Sequence, residues 1–443
     1  MKRHAIFFAL LTFSQPLLAA DLLQTYRDAR ANDPVYASAQ AARDAGRENL
    51  PQGLAALLPV VGVSGYTQMN NLDIDYRGIL PTSSRSGNTN GYTLSLTQPL
   101  FNWQSIMFYK EAGFKVAQSE AAFGQVAQDL ILRVAQAYFD VLASQDTLAF
   151  IQAQKIAISE QLAQAKRNFE VGTATITDTH EAQARFDLSA SQEIAAQSDL
   201  EIKKSALQQI IGKFPERLAP LKPTTEIDMP SPSAMEPWVA SAEDQNFGVR
   251  VQQAALEIAT REIERSRSGH YPTLNLVGSY GNSSSSFSPA GALINAPSDS
   301  TNSVVGLQFA IPLYAGGGVS SVVRQAIANQ EKTRQDLETA RRAAAQGVRQ
   351  AYLGFHNGIA QVRALEQALI SSQSALDSNK LGYEVGVRIN IDVLNAQQQL
   401  YSTKRDLSKA RYDTLLSGLR LKAAAGSLTE EDVQTVNRLL GTN

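Results

Sequence analysis

The chain has 443 residues, a formal charge of −2 at pH 7 and no cysteine. Its length allows two or three ordinary domains. Its near-neutral charge excludes the broad basic surface that nucleic-acid-binding proteins use. The absence of cysteine excludes disulfides, thiolate metal sites and a cysteine nucleophile.

The segment from Met1 to Ala20 has the pattern of a secretory signal peptide. Lys2 and Arg3 precede a short apolar stretch that ends in the small residues Ala19 and Ala20. We expect cleavage before Asp21, and because no cysteine follows we expect no lipoprotein anchor. Beyond this segment, no apolar run reaches the ~20 residues of a membrane-spanning helix. The sequence therefore predicts an exported chain that can cross a membrane only as strands.

The rest of the chain repeats itself at an offset of about 214 residues, which predicts duplication of one unit. Gly172 matches Gly386, Asp178 matches Asp392, and the offset stays nearly constant along the chain. Chance matches would not keep one register over this length. The expected organisation is a signal peptide at 1–20, a first structural repeat at 21–232, a second repeat at 233–430 and a C-terminal tail at 431–443.

Each predicted repeat contains two strands joined by a polar loop. The strands are expected at about 59–69 and 91–101, then 272–281 and 304–314, with loops at 70–90 and 282–302. Leu94 and Leu96 share one face, while Ser95 and Thr97 share the other. This alternation is typical of membrane-barrel strands, although a soluble sandwich would also fit. The aromatic residues expected at strand ends, as an interfacial girdle, are Tyr66, Phe101, Trp103 and Tyr314.

Long stretches without proline follow each strand pair and predict long helices. Apolar residues recur at alternating steps of four and three from Leu130 to Phe169, and the matching positions of the second repeat continue the same stripe. This heptad spacing indicates coiled-coil packing. The long helices are expected at about 104–170, 175–211, 318–384 and 389–425, and shorter helical stretches at 34–57 and 248–270.

Two related segments interrupt these helices, FEVGTATITD at 169–178 and YEVGVRINID at 383–392. Gly172 and Gly386 supply the conformational freedom of a tight turn. Threonine or asparagine, followed by aspartate, opens the next helix. The sequence therefore predicts one helix–turn–helix tip in each repeat.

Four strands per chain are too few to enclose a pore, because the smallest bacterial barrels need about eight. Open strand edges cannot face lipid. If the strands span a membrane, several chains must share one barrel, and their helices would form a shared tube beside it.

The sequence resembles the TolC family of outer-membrane channel proteins over residues 21 to about 440. The stretches that carry the resemblance include LLQTYRDARANDPVYASAQAARDA, LLPVVGVSGY, SLTQPLFNW, AQAYFDVLASQDTL, FEVGTATITDTHEAQARFD, RSGHYPTLNLVGSYG, FAIPLYAGGGVSSVVRQA and GYEVGVRINIDVLNAQQQLY. The resemblance implies a homotrimer whose shared 12-stranded outer-membrane β-barrel continues into a long periplasmic α-helical barrel. It also implies docking to a periplasmic adaptor protein and an inner-membrane pump or ABC transporter, and export of drugs or, in type I secretion, of proteins.

The resemblance assigns a gate to the tip turns. Tyr383 and Arg388 match family positions that lock the closed tip, and their partners would be Thr177 and Asp178. An Arg–carboxylate hydrogen bond is strong and geometrically selective, so a ring of them could hold a constriction shut. In a simpler interpretation, Asp178 and Asp392 only favour the N-termini of their helices, and Tyr383 only packs in the apolar stripe.

The resemblance also places Asp392 in an acidic ring inside the entrance. Where the family often has a second aspartate one turn later, this chain has Asn395. We therefore expect a less negative ring and a weaker preference for cations.

Other function classes have weaker support. A periplasmic coiled-coil adaptor or scaffold would explain the helices but not the strand pairs, and a porin would have many more strands. The scattered histidines His180, His270 and His356 show no metal-ligand spacing, and the glycine-rich segment 315–319 lacks the Lys-Ser/Thr of a phosphate-binding loop. We expect no enzyme activity and no cofactor.

Overall fold

The computed structural model describes residues 20–75, 83–215, 217–222, 225–287 and 296–441. Apart from Ala20, the predicted signal peptide lies outside the described residues. The helices are α1 (Leu22–Asn32), α2 (Pro34–Arg47), α3 (Asn49–Ala55), α4 (Trp103–Glu170), α5 (Ile176–Ile211), α6 (Glu236–Gln245), α7 (Phe247–Arg267), α8 (Gly318–Glu384), α9 (Asn390–Ala424) and α10 (Glu430–Asn437). The strands are β1 (Val60–Ile74), β2 (Ser83–Phe101), β3 (Thr273–Ser285) and β4 (Ser298–Ala310). Among the helices in these ranges, none is both long enough and apolar enough to cross a membrane.

The strands form one antiparallel sheet in the order β1-β2-β3-β4. The two hairpins join through β2 and β3, whose register runs from Thr89 opposite Ser285 to Phe101 opposite Leu274, with an irregularity between Pro99 and Phe101. β1 and β4 are left as the outer strands. The expected mixed α and β fold with four strands per chain is confirmed.

The strands are longer than the alternation predicted. β1 and β2 remain paired as far as Ile74 opposite Ser83, and β3 and β4 as far as Ser285 opposite Ser298. The polar loops expected at 70–90 and 282–302 are therefore largely strand, and their centres lie outside the described residues. Asparagine, serine and threonine continue the backbone ladder there, because pairing needs only the main chain and not apolar side chains.

The longer strands change the position of the expected aromatic girdle. Phe101 ends β2, but Tyr66 lies within β1 rather than at its end. Trp103 is the first residue of α4, where its ring makes an edge contact with Tyr271 at 6.4 Å between centroids. Tyr314 follows the end of β4. Tyr66 therefore lies away from a strand end, whereas Trp103 and Tyr314 lie beyond the ends of β2 and β4, and the interfacial girdle itself stays a prediction.

The sheet carries large apolar side chains that the rest of the chain leaves exposed. They include Val61, Val63, Met69, Tyr92, Leu94, Leu100, Val305, Leu307 and Phe309. Contiguous exposed apolar surface of this kind marks contact with lipid or with another chain. The sheet belongs to one of two compact units of the chain, formed by Ala41–Ala122 and Arg250–Ala340.

The other unit contains the chain up to Gln40, Phe123–Val249 and the chain from Arg341 onward. Its main core is built from α1, α4, α5, α9 and α10, with Leu130, Val134 and Tyr138 of α4 almost fully buried. The Tyr138 hydroxyl donates to the Ala219 carbonyl at 2.8 Å, and burial raises the pKa of Tyr138 above its ordinary value. This core packs α4, α5 and α9 together, and a second cluster packs Val348 and Phe355 of α8 against Leu421 of α9.

The first helix and the C-terminal region are joined by hydrogen bonds. The Asp21 side chain caps α1 by accepting from Gln24 N at 2.7 Å and also accepts from Asn437 Nδ2 at 2.8 Å. The segment predicted as a C-terminal tail at 431–443 therefore contains most of α10 and packs into the main core.

A buried carboxylate ties the loop after α1 to α4. Asp33 has a side chain only 3% exposed, and Arg133 Nη2 donates to it at 2.6 Å. Burial opposes ionisation of Asp33, but the hydrogen bond and charge of Arg133, with main-chain hydrogen bonds from Tyr36 and Val35, outweigh it, so the pKa of Asp33 lies below its ordinary value. Because the folded pKa is lowered, this stabilisation is present above the unfolded pKa of ~3.9 and is lost as pH falls through the folded value.

We predict that Arg133→Met lowers the stability of the helical unit by about 2 kcal/mol at pH 7, because it leaves a buried carboxylate without its partner. The loss should shrink as pH falls below 4, where Asp33 becomes neutral. Thermal unfolding followed by circular dichroism across this pH range measures the effect. Asp129→Asn, which removes only the exposed partner of Arg133, is the control and should cost under about 1 kcal/mol. A pH-independent loss in Arg133→Met would contradict the assignment.

Candidate functional site

The first tip turn connects α4 to α5. After Glu170 the chain turns so that Gly172 N donates to Phe169 O at 3.0 Å and Thr173 N donates to Asn168 O at 2.8 Å. These bonds satisfy carbonyl groups that the end of a helix leaves without partners. Gly172 has φ +78°, the left-handed conformation that glycine adopts without steric cost.

The second tip turn connects α8 to α9 and uses the same bonds. Gly386 N donates to Tyr383 O at 3.2 Å, Val387 N donates to Gly382 O at 2.9 Å, and Gly386 also has φ +78°. An ideal Cβ on Gly382 would lie 2.7 Å from Arg388 Cγ. The absence of a side chain at Gly382 therefore lets the stem of Arg388 fold back against α8.

The two helices that follow these turns begin differently. Thr175 and Asp178 form a reciprocal capping box at the start of α5. Ile389 precedes α9 and makes no side-chain cap, while Asn390 is already the first helical residue. The expectation that the asparagine caps this helix was wrong, because its side chain turns to other helices instead. Asn390 Nδ2 donates to Asp178 O at 3.3 Å.

The predicted lock residues have other partners within this chain. Arg388 Nη1 lies 3.7 Å from Asp392 Oδ2, one turn away on the same helix end. The Asp178 carboxylate accepts from Thr175, and Thr177 is exposed. In the described part of this single chain, neither Thr177 nor Asp178 is hydrogen-bonded to Tyr383 or Arg388. A contact between copies of the chain stays a prediction.

Tyr383 instead has a partner that the sequence reasoning missed. Asn168 Nδ2, near the end of α4, donates to the Tyr383 hydroxyl at 3.1 Å. This bond joins the α4–α5 hairpin to the α8–α9 hairpin. Tyr383 also packs with the buried cluster of Leu376, Val393 and Leu400, as the simpler interpretation expected. Its part in a lock with Thr177 and Asp178 stays a prediction.

Asn395, where the family often has a second aspartate, contacts a positively charged side chain. Arg185 on α5 donates through Nη2 to Asn395 Oδ1 at 3.0 Å and through Nη1 to Gln398 Oε1 at 2.5 Å. The side chain that replaces the expected second aspartate therefore serves as a neutral acceptor for an arginine. Asp392, the remaining carboxylate, lies beside Arg388.

Sequence reasoning also missed amides buried in the helical seams. Asn390 and Gln397 are 0% and 2% exposed, and Gln154 and Gln161 are each 6% exposed. The signal was available in α9, where Asn390, Val393, Gln397 and Leu400 follow the three-and-four spacing of an apolar stripe. On α4 the spacing of four and three residues that starts at Leu130 reaches Lys155, but the structure buries the neighbouring Gln154 and pairs Lys155 with Glu193.

The tip turns expose apolar side chains at the ends of the hairpins. Val171 and Ile176 flank the first turn, while Val385, Val387 and Ile389 occupy the second. Val387 is 75% exposed. Exposed residues of this type at the end of a helical hairpin suit contact with another protein. Around them, the described side chains form small apolar clusters, hydrogen bonds and the exposed Arg388–Asp392 ion pair. All of these contacts can break and re-form without a change in covalent bonds.

Comparison with known proteins identifies the family. The profile of the outer membrane efflux protein family matches residues 25–213 and 238–427. The outer membrane protein TolC of Vibrio cholerae is 35% identical over 97% of this chain and 96% of its own length. The alkaline protease secretion protein AprF of Pseudomonas aeruginosa is 33% identical over 96% of this chain and 89% of its own length.

Solved structures show the same fold. The CmeC outer membrane channel of Campylobacter jejuni superposes with a TM-score of 0.78 at 16% identity, covering 100% of this chain and 98% of that one. The outer membrane protein VceC of Vibrio cholerae has a TM-score of 0.77 at 16% identity, covering 91% of this chain and 96% of that one. The chain has a four-stranded sheet and two helical hairpins, and the family profile matches most of its length. The chain therefore belongs to the outer membrane efflux protein family and is an outer-membrane exit duct of an efflux or secretion system.

Proposed function

We propose that three copies of this chain form one conduit, with a shared 12-stranded barrel in the outer membrane and a tube of helices in the periplasm. The observation that carries the proposal is the four-stranded sheet with unpaired outer strands and an exposed apolar face. Exposed backbone groups cannot face lipid without hydrogen-bond partners. Twelve strands from three chains fall within the range of bacterial barrels.

The exposed apolar tip supports docking to a periplasmic adaptor and, through it, to an inner-membrane pump or ABC transporter. Val171, Val385 and Val387 offer an apolar surface on turns whose backbone is fixed by hydrogen bonds. A rigid apolar anchor of this kind lowers the entropic cost of association. The relatives include a protease secretion protein and the outer membrane efflux protein BepC of Brucella suis, so both protein and drug export are candidate routes.

Reconstitution tests the proposal directly. Protein purified in detergent should have the mass of three chains by native mass spectrometry and should insert into planar bilayers as a pore. A monomer that stays in aqueous buffer without detergent would contradict it and would favour the adaptor alternative. The tip residues are the proposed gate of this pore, with Tyr383 and Arg388 facing Thr177 and Asp178 across the constriction.

We predict that Arg388→Ser raises the resting conductance several-fold, because it removes the only cation among the proposed gate residues and leaves Asp392 without its ion-pair partner. Single-channel recording measures the change. Arg334→Ser is the matched control, since Arg334 is an exposed arginine that pairs within its own helix elsewhere on α8. Wild-type conductance in Arg388→Ser would place the lock at other residues.

We predict that Asp392→Ala reduces the preference for cations, because Asp392 is the proposed entrance carboxylate and its neighbour Asn395 is neutral. The reversal potential under a KCl gradient should move toward zero. Asp336→Ala removes an exposed carboxylate that pairs within α8 and should leave the reversal potential unchanged. An unaltered reversal potential in Asp392→Ala would remove this residue from the pore entrance.

A further inference from the structure

The register of the sheet separates its side chains into two faces of different character. Val63 on β1 lies opposite Leu94 on β2, and both belong to the face that exposes large apolar residues. On the other face Ser64 lies opposite Thr93, and glycine, serine, threonine, asparagine and glutamine predominate on that face of all four strands. Membrane barrels turn the apolar face to lipid and the polar face to the lumen. In the proposed barrel, the face that contains Ser64 and Thr93 is therefore the lumen face.

Tyr66 lies on the lumen face, although the sequence suggested a lipid-side girdle for it. It follows Ser64 by two residues on β1, so the two side chains point to the same side of the sheet. Tyr92 pairs with Gly65, one residue pair away, and points to the apolar face. Within the four described strands, Tyr66 is the only aromatic residue on the lumen face, and the aromatic residues of the apolar face are Tyr92, Phe101, Tyr280 and Phe309.

Gly91 makes room for the Tyr66 side chain. The two residues pair directly across β1 and β2, and an ideal Cβ on Gly91 would lie 3.1 Å from the Tyr66 hydroxyl. The tyrosine side chain therefore leans across β2, along the wall of the barrel. Tyr66 is 47% exposed, so its ring is accessible from the lumen.

The wall around Tyr66 is uncharged. In the strand residues 60–72, 86–101, 273–285 and 300–310, the sequence contains no aspartate, glutamate, lysine, arginine or histidine. Asp73, Arg85 and Asp299 lie toward the far ends of the two hairpins. Such a wall repels cargo of neither sign, and it has no carboxylate that competes for a cation. The ring of Tyr66 is therefore the group on this face that can select cargo by its chemistry.

The width of the proposed barrel decides which cargo meets that ring. Twelve strands spaced by about 4.8 Å and tilted by about 40° would enclose a barrel roughly 24 Å across between backbones. A small molecule can cross this width without touching the wall, whereas an unfolded polypeptide meets the wall repeatedly. An aromatic ring attracts cations over its face, arginine more often than lysine. Arginine side chains of an unfolded cargo therefore fit the ring best.

We infer that Tyr66 lines the lumen of the barrel and that its three copies contact arginine side chains of an unfolded polypeptide during passage. This inference rests on the proposed function, since a lumen requires the shared barrel. It gives the barrel a role in retaining cargo, beyond that of an inert wall. It also removes Tyr66 from the predicted interfacial girdle, which faces lipid.

Cysteine labelling of full-length protein in lipid nanodiscs tests the orientation. The chain has no cysteine, so Tyr66→Cys and Leu94→Cys each introduce one thiol per chain. A sulfonated methanethiosulfonate should modify Tyr66→Cys at least about tenfold faster, because a charged reagent is excluded from hydrocarbon and an apolar environment disfavours the reactive thiolate. Intact mass spectrometry measures both rates. Equal rates, or faster modification of Leu94→Cys, would overturn the orientation.

Single-channel recording tests the contact with cargo. An unfolded peptide of alternating arginine and glycine is added on the barrel side, and the residence time of its current blockades is measured. Tyr66→Ser should shorten this time by about threefold, the size expected for loss of an exposed cation–π contact. Tyr66→Phe keeps the ring and should keep the residence time. Tyr92→Ser is the matched control, because Tyr92 is 50% exposed on the apolar face, and it should also leave the residence time unchanged.

The remaining outcomes separate the parts of the inference. An unchanged residence time in Tyr66→Ser would overturn the cargo contact, even where labelling confirms the orientation. An equal loss in Tyr66→Phe would overturn the role of the ring, because loss of the hydroxyl would explain it. A glutamate–glycine peptide driven by the opposite voltage should be insensitive to Tyr66→Ser, and an equal loss there would overturn the preference for cations. Failure of the wild-type protein to form a pore would overturn the proposed function and this inference with it.

Discussion

The unpaired edges of β1 and β4 are the constraint on which the rest of the molecule depends. A four-stranded antiparallel sheet leaves backbone donors and acceptors open on both sides, and in lipid each unsatisfied group costs several kcal/mol. The same sheet exposes valine, leucine and aromatic side chains, whose contact with water is unfavourable in free energy. Closure with other chains would satisfy both requirements, and this is the physical basis of the proposed oligomer.

The long helices meet a different requirement: they must stay packed against one another and yet be able to separate near the tip. The upper core, around Tyr138 and Leu142, is apolar and nearly inaccessible to water. Toward the tip, smaller apolar clusters alternate with polar contacts between helices: Ser144 donates to Asp199 at 2.6 Å, and Ser408 and Tyr412 both donate to Asp146. Apolar interdigitation resists separation, whereas hydrogen bonds can exchange with water at small net cost. A rigid apolar core around Tyr138 and exchangeable hydrogen bonds toward the tip suit a duct with the proposed gate at its tip.

Residue periodicity, together with the positions of proline and glycine, predicted much of the fold. α8 has the same limits as the helix expected at 318–384, because proline is absent and Gly386 permits the turn. The duplication of a unit of about 214 residues stays a prediction. Strand ends were less predictable, since β1 continues through Asn70 and Asn71 on main-chain pairing alone. Side-chain alternation carries no information about where such pairing stops.

The candidate site was predicted less completely than the fold. Tyr383 and Arg388 follow from the resemblance, but Asn168 and Asn390 do not, because their partners lie in the opposite half of the sequence. A buried amide and an exposed one have the same sequence signature unless the seam that contains them is known. Arg185 was missed for the same reason, since only the fold brings it to Asn395.

Cross-linking between chains tests the central claim most directly. The chain has no cysteine, so any disulfide must come from introduced cysteines. One cysteine replaces Ser64 in β1, and a second replaces each residue from Gly306 to Ala310 in β4 in turn. Within one chain these outer strands are three strand spacings apart, roughly 14 Å, too far for a disulfide. Closure predicts that oxidation at one register gives covalent dimers and trimers and nothing larger. Absence of cross-links at every register, or a series that continues beyond three chains, would contradict a sealed trimeric barrel.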